Sequence, residues 1–169
     1  MYFGLSEDQI FFQDNVKKFL EDNAPLDVIR NISKGENPNQ KNEIHSGIIN
    51  LGINNILVPE EHGGLGLDLL FATAISQSIG GAVAPLPYCG SYVMAPIAIQ
   101  IGASISQKEN IFNEMSSSNI KFGIAFSEYF GSRDSSSINF SNDKINGKTI
   151  FAIDCDYATD VLVSDASGK

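Results

Sequence analysis

Positive charge is scarce in this chain: 169 residues carry 11 lysines and arginines against 20 aspartates and glutamates, a formal charge of −9. Phosphate contacts need a basic face, so nucleic-acid binding is excluded, although a few local cations can still serve one ligand. Cysteine is scarcer still. Cys89 and Cys155 stand far apart without paired spacing, which excludes a disulfide framework and fits reduced thiols in a cytoplasmic protein. His45 and His62 sit at neither metal-ligand nor triad spacing, so no metal is expected. No basic segment leads into an apolar run before Leu5, so no secretory leader is expected. The longest apolar stretch, Val93 to Ile105, is broken by Pro96, Gln100 and Ser104 and is too short to span a bilayer. Ser91 and Ser127 lack the strand–turn–helix context of an activated serine nucleophile.

What is present is enough for a core. Hydrophobic residues make up 43% and charged residues 18%, the balance of a folded chain that forms one ordinary domain, or one small domain and part of another. Ser6-Glu7-Asp8-Gln9 is a capping box, with Leu5 and Ile10 at the staple positions and Phe12, Val16, Phe19 and Leu20 at helical spacing. Asn23 and Pro25 end that helix. A short helix from Pro25 to about Ser33 follows, then a polar loop over 34–40. A third helix reaches Leu51, with Gly52 as its C-terminal cap. Asp68 caps a helix that is apolar nearly all round and therefore expected at the centre of its domain, stopped by Gly80-Gly81. After the Pro85-Leu86-Pro87 kink a helix runs through Tyr92 to Ile101. Ser106-Gln107-Lys108-Glu109 repeats the capping-box pattern and opens a helix ending near Met115.

At Lys121 the pattern changes. Phe122 to Phe126 is a short apolar run, Ile138 to Phe140 alternates, and Asn142 to Gly147 offers turn residues. Thr149–Ile153 and Asp160–Ser164 read as strands. Helix over 1–120 followed by strand over 121–169 marks a domain boundary. A few short strands have exposed edges and little core of their own, so the second part is expected to be incomplete.

Between the third helix and the Asp68 cap lies Val58-Pro59-Glu60-Glu61-His62-Gly63-Gly64-Leu65-Gly66-Leu67. Three glycines in four positions cannot continue a helix, so a strongly bent loop is forced here. No lysine and hydroxyl residue follow the glycines, which excludes a P-loop, and no glycine opens a helix after a long apolar strand, which excludes a dinucleotide fingerprint. This loop resembles the P-E-E-x-G-G-x-G segment in the N-terminal helical domain of the acyl-CoA dehydrogenase family. The order of features from Leu5 to Val163 is similar to that family throughout: helices, the glycine loop, a long apolar helix, a helix containing Gln107-Lys108, then Ala125-Phe126-Ser127-Glu128. Ile79-Gly80-Gly81-Ala82-Val83-Ala84-Pro85-Leu86-Pro87 resembles the bacterial branch that includes small subunits of paired dehydrogenases.

The resemblance implies a multi-domain, α-then-β fold: an N-terminal all-helical domain over 1–120, then the start of a truncated, β-barrel-like middle domain over 121–169. It also implies α,β-dehydrogenation of an acyl-CoA thioester in fatty acid metabolism. FAD takes the β-hydride and a carboxylate removes the α-proton. In the family that base lies in a C-terminal helical bundle, so this stretch is expected to be inactive and no residue in it is assigned as catalytic. Glu60 and Glu61 read as loop-bracing or solvated carboxylates. An electron-transfer flavoprotein or similar acceptor and a homo- or hetero-oligomer, dimer or tetramer, are the implied partners.

The implied flavin contacts come residue by residue. The family's T-E-P-x-A-G-S-D-like stretch aligns with Ser127-Glu128-Tyr129-Phe130-Gly131-Ser132-Arg133-Asp134, which puts Ile124, Ala125, Phe126 and Ser127 against the cofactor. Tyr129 replaces the proline and Arg133 the serine near the thioester. Arg133 admits two readings, a partner for a coenzyme A phosphate or a surface arginine satisfied by Asp134. The second flavin segment falls near Phe151-Ala152-Ile153. There Phe151 either stacks on the ring or alternates inward with Ile153, which has no hydroxyl to donate. Tyr88 and Tyr92 either line the acyl pocket or pack in the core. These departures keep a second reading open, a non-catalytic partner subunit with a degenerate flavin site. A related oxidase or monooxygenase is a third.

Overall fold

Helix α1 (Glu7–Asn23) begins where its capping box places it: the Ser6 hydroxyl accepts from the Gln9 N–H at 3.2 Å, and the Gln9 side chain accepts from the Ser6 N–H at 2.9 Å. The computed structural model describes residues 4–126, 138–149 and 152–164. Their contacts group into two units, Met1–Tyr88 and Cys89–Lys169.

In the first unit, α2 (Leu26–Ser33) and α3 (Pro38–Asn50) follow α1. The expected polar loop over 34–40 is shorter, because Pro38 occupies the first turn of α3, where its missing N–H costs nothing. Gly52 ends α3 as expected, with φ 75° and its N–H donating to Ile49. Helix α4 (Leu69–Gly81) is capped by Asp68, whose Oδ1 accepts from the N–H groups of Leu70 and Phe71 at 3.0 and 3.1 Å. The α4 face carrying Ala72, Ala74, Ile75 and Ile79 is buried, whereas Leu69 and Leu70 in its first turn are exposed. The exposed side continues through Thr73, Ser76, Gln77 and Gly80, so a nearly all-round apolar sequence has given a helix with one buried and one exposed face. Helices α1 and α4 are joined by Phe12 and Phe71, edge to face at 5.7 Å, and by Gln13 Nε2, which donates to the Ala74 carbonyl at 3.0 Å and Gln77 Oε1 at 2.9 Å.

The glycine loop sits between α3 and α4 and turns back on residues 55–58. The N–H groups of Leu65, Gly66 and Leu67 donate to the carbonyls of Asn55, Val58 and Ile56. A Cβ on Gly64 would collide with the Val58 carbonyl oxygen. No other residue fits there.

In the second unit a π-helix, Tyr88–Met94, which begins at the last residue of the first unit, runs into α5 (Ala95–Gly102). The sequence pattern gave an ordinary helix here. Pro96 offers no N–H to the Tyr92 carbonyl and its ring crowds that oxygen, and widening the preceding turns relieves the conflict. Helix α6 (Ile105–Ser116) carries a second capping box, but the cap is Ser104 rather than Ser106. Gln107 at the third helical position decides this: its Oε1 accepts from the Ser104 N–H at 2.9 Å, leaving Ser106 inside the first turn.

Strand β1 (Phe122–Ala125) is buried at every position. It pairs in parallel with β4 (Asp160–Val163) along one edge. On the other edge Ile124 exchanges both backbone hydrogen bonds with Ile153, each at 2.9 Å. Strands β2 (Asn139–Ser141) and β3 (Lys144–Asn146) form a hairpin through Asn142 and Asp143, both at positive φ, the geometry of a two-residue type I′ turn. Of the expected strand Thr149–Ile153, residues 150 and 151 lie outside the described ones and Ile153 contributes only its bridge to Ile124. Helices followed by a few strands is the observed architecture, with no closed barrel among the described residues.

Two substitutions test this packing. Gly64→Ala should lower stability by at least about 2 kcal/mol, because the new methyl group collides with backbone. Gly80→Ala, in α4 with nothing within 4 Å of the new Cβ, should raise it by about 0.4–1 kcal/mol. Urea midpoints of the two variants should move in opposite directions from that of the parent chain.

Candidate functional site

Sequence reasoning gave two separate stretches for the cofactor, 124–127 and 151–153, and β1 is where they meet. The described members are Ile124, Ala125, Phe126 and Ile153; Ser127, Phe151 and Arg133 lie outside the described residues. Ile124 and Ala125 are buried in β1, and Phe126, the next residue, is half-buried. Ile153, locked to Ile124 by the paired backbone bonds, leaves 41% of its surface exposed. Ile153, on the edge of β1 opposite β4, presents apolar surface, and Phe126 follows β1 directly in the chain; apolar side chains of this kind suit the flat face of an isoalloxazine ring. The described residues of this edge offer no side-chain hydroxyl or charge.

Tyr88 belongs to the first unit. It is buried, and its hydroxyl donates to the Ala72 carbonyl at 2.6 Å. Tyr92 is buried as well. Glu60 and Glu61 open the short 3-10 turn of the glycine loop, and Glu61 lies 3.8 Å from His62. Cys89 and Cys155 are free thiols. Among the described residues no group of three His, Cys, Asp or Glu side chains is placed to hold a metal ion. No described helix is long and apolar enough to cross a membrane. A groove of about 590 Å3 between α1 and α4, with Lys17, Glu21 and Leu26 among its walls, contains none of the expected site residues.

Asp154 was not singled out from the sequence. It follows Ile153 directly, takes a left-handed backbone conformation (φ 60°), and aims its carboxylate at the π-helix. Its Oδ2 accepts from the Gly90 N–H at 2.5 Å and from the Ser91 N–H at 3.3 Å. Burial raises the Asp154 pKa above the usual carboxylate value, and the two N–H donors only partly offset that rise. The one sequence signal was an acidic residue directly after the second flavin segment, and nothing local marks its partner.

A folded-state pKa above the unfolded value means that the folded chain binds the proton more tightly. The stability this contributes is fully present below the ordinary carboxylate pKa, about 3.9, and is lost as pH rises through the raised folded value. Asp154→Asn keeps an acceptor for both N–H groups and removes the titration. The urea midpoint of this variant relative to the parent should therefore be highest at neutral pH and should decline as pH falls toward 4. A gap independent of pH would contradict the assignment.

Residues 6–119 match the family described as acyl-CoA dehydrogenase, N-terminal domain. No curated protein matches the chain. Among solved structures, a chain of the ChsE4–ChsE5 complex from Mycobacterium tuberculosis is similar at TM-score 0.79 and 19% identity, over 99% of this chain and 47% of that one. A variant of the Tcur3481–Tcur3483 steroid ACAD is similar at TM-score 0.74 and 19% identity, over 96% of this chain and 46% of that one. The electron transferring flavoprotein of Acidaminococcus fermentans is similar at TM-score 0.70 and 21% identity, over 96% and 44%. The chain spans about half the length of the solved structures it matches. At these identities the structures speak for the fold alone, while the family match extends over well more than half of the chain. By that match, the chain belongs to the acyl-CoA dehydrogenase family.

Proposed function

We propose that this chain is the N-terminal part of a flavoprotein that oxidises an acyl-CoA thioester to the α,β-unsaturated product, residues 1–120 being the helical domain and 121–169 part of the β-domain. The supporting observation is the bridge between Ile124 and Ile153, which joins the two stretches that the family resemblance assigns to the flavin. FAD, when bound, supplies the hydride acceptor. The chain's own contribution is an apolar edge, Phe126 and Ile153, that shields one side of the ring from water, with Ser127 and Phe151 as the further contacts. Arg133 and Tyr88 are the proposed substrate contacts. The carboxylate base lies beyond residue 169 in this reading, so 1–169 alone turns over no thioester. The protein works in the cytoplasm, in fatty acid metabolism, and passes electrons to an electron-transfer flavoprotein or similar acceptor.

A second reading is supported by Ile153 itself, an apolar side chain where the resemblance calls for a hydroxyl. On this reading the chain is the non-catalytic partner in a heteromeric dehydrogenase. The similar chain from Mycobacterium tuberculosis comes from a two-component complex, which is the assembly that this reading transfers. One preparation separates the two. The protein carrying its complete C-terminal region, purified alone, should show stoichiometric flavin absorbance that bleaches with an acyl-CoA under anaerobic conditions. Flavin-free protein that acquires activity only with a second chain would establish the partner role instead.

A further inference from the structure

Three features of the second unit converge on one short segment, residues 153–155. Ile153 holds β1 by two backbone hydrogen bonds to Ile124. Cys155 lies so close to β1 that a Cβ on Gly123 would come within 2.6 Å of its Sγ and 3.2 Å of its Cα. Asp154, between them, faces the other way and receives the N–H groups of Gly90 and Ser91 from the π-helix. The segment is thus held on both sides.

The fit on the π-helix side is as tight as on the β1 side. A Cβ on Gly90 would stand 2.7 Å from Asp154 Oδ2 and 3.2 Å from its Cβ. Asp154 also occupies the left-handed region, open to aspartate more readily than to most side chains, and its surroundings hold it there. Here the surroundings are the Ile124 bridge before it and the Gly123 contact after it. A π-turn is itself a rare conformation.

We propose that Asp154 is a positioning residue, a latch that fixes the Gly90–Ser91 turn against the 153–155 segment and so sets where the Ile124–Ile153 edge stands. The flavin part of this inference rests on the reading that this edge meets the cofactor. The latch itself does not: it is a mechanical link between two named pieces of backbone. Loss of the carboxylate acceptor should free the Gly90 and Ser91 N–H groups and, through Asp154, loosen the Ile153–Ile124 pair.

The test combines amide hydrogen exchange with flavin titration of the full chain, using D154A, D154N and G90A. Exchange at Gly90, Ser91, Ile124 and Ile153 should rise about tenfold in D154A and in G90A, with α1 amides unchanged, and D154N should restore the parent rates. FAD affinity, read by flavin fluorescence quenching, should fall about tenfold in D154A and recover in D154N. Should D154A not fold, G90A read against D154N carries the same test. Faster exchange confined to Gly90 and Ser91, or no change at any of the four amides, overturns the latch. A parent chain that takes up no FAD while all four amides respond as stated leaves the latch standing and removes the flavin reading.

Discussion

Close backbone approach, possible only where a Cβ is missing, is the constraint on which both units depend. In the first unit the glycine loop closes because Gly64 rests against the Val58 carbonyl. In the second, the segment 153–155 reaches β1 and the π-helix because Gly123 and Gly90 present no side chain to it. Such contacts are sharper than hydrophobic packing. An apolar core tolerates exchange of one methyl group for another at modest cost, but a carbonyl oxygen against a Cα leaves no room to relax.

The helices are stabilised in a different way. Both capping boxes and the Asp68 cap satisfy amides that would otherwise lack partners at helix starts, and each is made within three residues of sequence. The α1–α4 pair adds an aromatic edge-to-face contact and a glutamine that bridges to the backbone of its neighbour. These local devices fix where the helices begin. The glycine contacts and the buried faces then determine what the helices lie against.

A family fold is not a function, and at under 25% identity the similar structures transfer architecture only. What supports a cofactor reading for this chain is that Ile153, far from β1 in sequence, pairs with Ile124 and leaves apolar surface exposed there. Two neighbouring residues in this chain, Ile153 and Asp154, carry that placement. One presents a hydrocarbon side chain beside β1, and the other commits its carboxylate to the backbone of a π-turn.

Features held by contacts of three or four residues were legible in the sequence: the Ser6 box, the Asp68 cap, Gly52 after α3, and the change from helix to strand near Phe122. The family and its order of helices followed by strands were legible too, through the resemblance. The misreadings came where two local signals competed, Ser104 with Ser106, or where a proline acted on the turn before it, as Pro96 did. The bridge from Ile124 to Ile153 and the hydrogen bond from Gly90 to Asp154, 64 residues away, left no local mark. Sequence settles a contact when the chain cannot avoid making it. Both join segments far apart in sequence, so tertiary structure decided them.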